Sequence, residues 1–204
     1  MKEKKIYVLL SDTGTWFTRM IRMYTKAELN HASIAFDPEL KEVYSFGRKN
    51  PGNPFIGGFV KEDLSGELFK TATCAIYSCT VSERRYRKIR AYVQGFDEQR
   101  NRYRYNLIGL IAIMFNIKFK RENAFFCSQF VASVFEYGGS PLVAKCASLT
   151  TPSDLEKSAA LQLMFRGALS EFVTAHGAAK GEKAYTATYA AGSEGRASGC
   201  LEAI

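Results

Sequence analysis

Cys127 and His31 are the two residues of this chain whose types could together do nucleophilic chemistry. The thiol stands in Phe125-Phe126-Cys127-Ser128-Gln129-Phe130-Val131-Ala132, where an aromatic loop should turn into an amphipathic helix. A thiol in the first turn of a helix meets the positive end of the helix dipole, which favours the thiolate. A cysteine hydrolase also needs a base, brought near by the fold rather than by the sequence. The chain has two histidines. His176 falls in a stretch rich in Ala, Gly and Ser that begins near Val173, lacks periodicity and also holds Cys200. Residues 173–204 therefore read as a disordered tail, set apart from a domain over 1–172. That leaves His31, which opens a strand-like segment, as the histidine for a site.

The roles follow from chemistry. Cys127 would attack a carbonyl carbon as thiolate, with His31 as imidazolium beside it. His31 would then protonate the leaving group and activate water for the second step. Ser45 could hold the other ring nitrogen of His31, the orienting task of a third group in such triads. Glu42 is a fallback orienter, although strand parity puts it on the opposite face from Ser45. The backbone N–H of Cys127 is an oxyanion donor by its position at a helix start, and the Ser11–Thr15 turn could supply a second. Each residue also has a plainer reading when taken alone. A cysteine between aromatics can be a small core hydrophobe, and a histidine or serine in a strand can be purely structural.

Those side chains need elements to hold them. Ile6 to Leu10 reads as a buried strand, followed by a Ser11–Thr15 turn and a helix carrying Trp16, Phe17, Met20, Ile21 and Tyr24. His31 to Phe36 and Val43 to Gly47 form a hairpin around Asp37-Pro38-Glu39, where proline presets one torsion of the turn. Alternation puts His31, Ser33 and Ala35 on one face of the first strand, and Val43, Ser45 and Gly47 on one face of the second. The expectation is that these small faces coincide and receive the helix that begins at Cys127. Lys49 to Gly58, rich in Gly, Pro and Asn, reads as a loop and Thr71 to Val81 as a strand. Tyr86, Ile89, Val93 and Phe96 recur at helical spacing within the basic segment Arg84–Arg104. Leu107 to Ile117 reads as a buried helix, well short of the roughly 20 apolar residues of a membrane span. Gly138-Gly139 should end the Cys127 helix, Thr151-Pro152 should start another, and Leu161 to Phe172 holds a strand.

Composition narrows the function classes. With 204 residues, 47% hydrophobic and 24% charged, the chain is ordinary for a domain with one core. Its five cysteines show no metal-ligand spacing, so neither a metal nor a cofactor is expected. The N-terminus offers no secretory pattern, which points to a reduced, cytoplasmic protein, at most peripheral to a membrane. The net charge of +8 owes much to the 84–104 segment. A solvated helix face accounts for that charge, and contact with an anionic membrane surface is the alternative. No nucleic-acid motif accompanies it, so nucleic acid is not an expected partner.

With His31-Ala32-Ser33-Ile34-Ala35-Phe36 first and Cys127-Ser128-Gln129-Phe130-Val131 later, the chain resembles the permuted NlpC/P60, papain-like superfamily. Within it, the resemblance is to bacterial proteins of the YiiX/YaeF type and to the lecithin:retinol acyltransferase group. It covers roughly residues 5–172 and includes Tyr105-Asn106-Leu107-Ile108-Gly109-Leu110 as the helix preceding the cysteine. The resemblance implies an α+β, circularly permuted papain-like fold, an antiparallel sheet packed on helices with the cysteine at a helix N-terminus. It implies Cys127 as nucleophile and His31 as base. The third residue, usually His or Glu in relatives, falls on or near Ser45, which is a departure. A neutral hydroxyl stabilises an imidazolium less than a carboxylate does. The implied activity is a cysteine hydrolase of the thiol protease or amidase kind, cleaving an amide or ester through a thioester. A small peptide, muropeptide or acylated molecule would be its substrate. A lipid acyltransferase or lipid hydrolase at a membrane surface is the first alternative. A non-catalytic papain-like binding module is the second, kept open by Ser45.

Overall fold

The computed structural model describes residues 2–14, 27–50, 53–106 and 122–177. A six-stranded sheet in which every pairing is antiparallel forms its centre. The strands are β1 (Glu3–Asp12), β2 (His31–Ala35), β3 (Val43–Asn50), β4 (Asn53–Glu62), β5 (Thr73–Ser82) and β8 (Gln162–Ala168), lying in the order β4-β3-β2-β1-β5-β8. Two short strands, β6 (Arg104–Tyr105) and β7 (Ala124–Phe125), pair separately and in parallel. The apolar run in β1 explains its inner position. Ile6 through Leu10 are all buried, so this strand is covered on both sides.

Helices α1 (Glu83–Glu98) and α2 (Cys127–Tyr137) share the main core cluster with one face of this sheet. Ser82 caps α1 by accepting from the Arg85 N–H, and Ile89, Val93 and Phe96 turn inward at the spacing the sequence predicts. The exposed stripe carries Arg84, Arg87 and Lys88. Gly138 closes α2 against α1, where any added side chain would collide with Ile89. A short helix, α3 (Pro152–Glu156), begins as expected at Thr151, whose hydroxyl accepts from Asp154 while the Asp154 carboxylate accepts from the Thr151 N–H at 2.8 Å. The last helix, α4 (Leu169–Gly177), covers the opposite face with the segment around Leu64 and Phe69.

Three expectations are corrected. Lys49–Gly58 is a hairpin rather than a loop: β3 and β4 pair from Val43 with Glu62 through Asn50 with Asn53, with an irregularity between Arg48 and Asn50. Its glycines and prolines obscured strands whose partner lies next door. The Cys127 helix packs on the large face, not the small one. Ala32, Ile34, Phe36, Tyr44 and Phe46 meet Phe130, Val131 and Val134, whereas Ala35 and Val43 belong to the cluster on the far side. Burial of aromatic surface decides this, because a small-residue face has little apolar area to offer a helix. Finally, the region expected to begin a tail at Val173 continues as α4 to Gly177. There His176 stacks on Phe172 at 4.0 Å, and its Nδ1 lies 2.9 Å from the Phe172 carbonyl. The expected helices over Trp16–Tyr24 and Leu107–Ile117, and the segment 178–204, lie outside the described residues. Among the described residues no helix is long and apolar enough to cross a membrane.

Candidate active site

Cys127 is the first residue of α2, and His31 is the first residue of β2. The two therefore meet at an end of the sheet rather than across its face. Cys127 Sγ lies 4.0 Å from the carbonyl of Asn30, which leads into β2, and the thiol is hydrogen-bonded to the His31 ring. Helix α2 is held in place by apolar packing on both sides of the cysteine. Phe126 and Phe130 are fully buried, and Cys127 itself is 3% exposed. Near the start of the helix the Gln129 side chain accepts from the Phe126 N–H at 3.5 Å, and the Ser128 hydroxyl donates to the Thr150 carbonyl at 2.7 Å. These contacts fix the first turn, and with it the thiol.

The third group is Glu62, the last residue of β4. Its Oε1 lies 2.6 Å from His31 Nε2, and it accepts from the Ser45 hydroxyl at 2.6 Å. The Ser33 hydroxyl donates to Oε2 at 2.8 Å. Ser45 thus has its bond to the carboxylate, where the sequence reading placed it on the ring of His31. It stands one step behind the imidazole, and Ser33 stands with it. Glu42, the fallback, is occupied elsewhere by Arg90, with Nη2 2.7 Å from Oε2, and by the Tyr44 hydroxyl. Gly47 borders the arrangement: a Cβ there would be in ordinary van der Waals contact with His31 Cε1 at 3.6 Å and the Ser45 hydroxyl at 3.4 Å.

The electrostatics form one coupled chain. Burial alone would push the His31 imidazole toward neutrality. The Glu62 charge, then the bonds to Cys127 and Glu62, overcome it and raise its pKa to about 10. Burial would likewise raise the Cys127 thiol. The hydrogen bond and charge of His31, with the backbone N–H groups of Ala32 and Ser128, bring it below its ordinary value. Burial opposes ionisation of Glu62 too, yet His31, Ser45 and Ser33 hold its carboxyl below the ordinary range. Each of these shifts favours the charged form, so the site leans toward thiolate, imidazolium and carboxylate in a row. That charge pattern can attack a carbonyl carbon and return a proton to a leaving group.

Of the residues read from sequence, Cys127 and His31 are brought together and Ser45 joins them through Glu62. Sequence reasoning missed Glu62 because β4 was read as a loop, so the residue had no strand face. The aromatic and β-branched residues Phe55, Ile56, Phe59 and Val60 are the strand signal that could have revealed it. Ser11, which pairs with His31 in the sheet, and Thr13 are buried, and their hydroxyls make no hydrogen bond among the described residues. Thr15 lies outside the described residues. Among the described residues no cluster of acidic, histidine or cysteine side chains is arranged to hold a metal. No family model matches the chain, and neither a curated protein nor a solved structure matches it.

Proposed function

We propose that this chain is a cysteine hydrolase of the permuted papain-like, NlpC/P60 kind, cleaving an amide or ester bond through a thioester on Cys127. The observation that carries the reading is the imidazole of His31 set between a buried thiol at a helix start and a buried carboxylate. The histidine-before-cysteine order, with the histidine opening a strand of an antiparallel sheet and the cysteine opening a helix packed on it, supports the permuted architecture. Glu62 also removes the reason for preferring a non-catalytic shell, which rested on a hydroxyl as the sole orienter of His31.

In this reading Cys127 attacks as thiolate and His31 hands its proton to the departing amine or alcohol. Glu62 orients the ring and stabilises its charge. The Cys127 backbone N–H faces the oxyanion that forms at the carbonyl. The substrate is a peptide-like amide or a small acylated molecule. The test is the alkylation rate of Cys127 by iodoacetamide across pH. The ion pair gives labelling far below the range of a free thiol, and His31→Ala abolishes that advantage. A Cys127 that titrates near the ordinary thiol value of ~8.5 would refute the reading.

A further inference from the structure

Glu62 is more heavily supplied with donors than an orienting residue requires. Besides His31 it takes the Ser33 hydroxyl on one oxygen and the Ser45 hydroxyl on the other. Both serines are completely buried, at sheet positions where a β-branched apolar side chain would pack better. Donors of this kind favour a charged carboxylate, and a charged carboxylate favours a charged imidazole. Among the described residues, the charged groups that act most on His31 are Glu62 from β4 and Cys127 from α2, and the one that acts most on Glu62 is His31. One of these changes during a thiol-hydrolase cycle. An acylated Cys127 carries no charge, while Glu62, Ser33 and Ser45 stay as they were.

Building on the thiol-hydrolase reading, we propose that the Ser33–Glu62–Ser45 clamp keeps His31 charged in the acyl-enzyme, so that hydrolysis of the thioester is the slow half of the cycle. The two serines are positioning residues that act through Glu62. In acylation the sulfur–carbon bond forms, the bond to the leaving group breaks, and the proton of the imidazolium goes to that group. His31 then regains a proton from solvent. Hydrolysis needs the neutral ring, which takes a proton from water as the water oxygen bonds to the carbonyl carbon. The carbon–sulfur bond breaks, the acid departs, and thiolate and imidazolium are restored. A clamp that disfavours the neutral ring helps the first half-reaction and hinders the second.

The two halves separate with p-nitrophenyl acetate, whose phenolate leaves without a proton. The expected result is a burst of one nitrophenolate per chain, with one acetyl group on Cys127 by intact mass. The acetyl group should then be lost about tenfold faster per pH unit between roughly pH 6 and 8. Ser33→Ala and Ser45→Ala should slow the burst and speed the loss at neutral pH, each by about three- to tenfold. The Thr variants, which keep a hydroxyl, should restore both rates. A merely structural defect would slow both. Should an alanine variant fail to fold, the near-isosteric Glu62→Gln reads the same pair of signs. Loss that is independent of pH, or slower in the variants, overturns the proposal and leaves the hydrolase reading intact. Absence of any acetyl on Cys127 overturns both.

Discussion

Both faces of the sheet carry apolar clusters, and they differ most where β2, β3 and β4 meet the site. On the helix side Phe46, Phe59, Phe96 and Phe130 interlock, with ring centroids 5.2 Å apart for Phe46 and Phe130 and 5.8 Å for Phe59 and Phe96. That face is dry and aromatic, and its packing anchors α1 and α2. On the far side, toward the ends of β2, β3 and β4, the sheet interior holds two hydroxyls, an imidazole and a carboxylate. Apolar residues would stabilise the fold more there, since buried ion pairs seldom outdo hydrophobic packing. Stability and reactivity are thus separated by strand parity. The aromatic face fixes where Cys127 stands, and the polar cluster at the end of the far face favours its charged form.

That division can be broken first where the expected effect is greatest. Phe130→Ala should cost about 3–5 kcal/mol of stability in denaturant melts. The fraction that remains folded should keep the low-pH alkylation of Cys127, because the polar face is untouched. Glu62→Gln acts in the reverse sense. Removing the carboxylate leaves the imidazolium without its main partner, so alkylation at neutral pH should fall by about 10- to 100-fold, equivalent to roughly 1.4–2.7 kcal/mol. Unaltered labelling in that variant would show that the far face does not govern the thiol.

A pH series sharpens the comparison further. His31 titrates near 10 in the folded chain against an ordinary 6.5, so its stabilising contribution is complete below 6.5 and is lost as pH rises toward 10. Cys127 sits below its ordinary 9.0, so its contribution is present above 9.0 and is lost as pH falls through its folded value. Above the folded value of Cys127 and below pH 9.0 the folded chain holds an extra proton on His31 and a deficit on Cys127, and the two slopes oppose each other. Wild-type stability should therefore be nearly flat across that interval. Cys127→Ala should unmask His31, so that stability declines above pH 6.5 with a slope of at most about 1.4 kcal/mol per unit. Equilibrium melts at fixed temperature would measure it, and a flat profile in the variant would contradict the assignment. The smallest effect belongs to Glu42, whose bond to Arg90 is partly exposed. Glu42→Gln should cost no more than about 1 kcal/mol and leave Cys127 labelling unchanged, in contrast to Glu62→Gln.

Local chemistry made much of the scaffold legible. Thr151-Pro152 starts a helix because a capping hydroxyl and a fixed torsion act within a few residues. Ile89, Val93 and Phe96 mark the inward side of α1 because helical spacing aligns them. The hairpin around Asp37 was equally readable, with the carboxylate accepting from the N–H groups of Lys41 and Glu42. The β3–β4 pairing was not. Its glycines and prolines lower local strand preference, and only a neighbouring strand restores it.

Residue types and spacing alone single out Cys127 and His31 as a candidate pair: a thiol at a helix start, and one histidine left once the composition of the C-terminal segment sets His176 aside. Alternation also leads to the expectation that Ser45 and His31 share a face of the sheet. Only the tertiary structure shows that Glu62 is the carboxylate beside His31, that Ser33 and Ser45 donate to it, and that the helix lies on the aromatic face. The physical reason is that a buried charge is tolerable only where several strands deliver donors to one point. Such convergence depends on register between strands, which no single strand encodes.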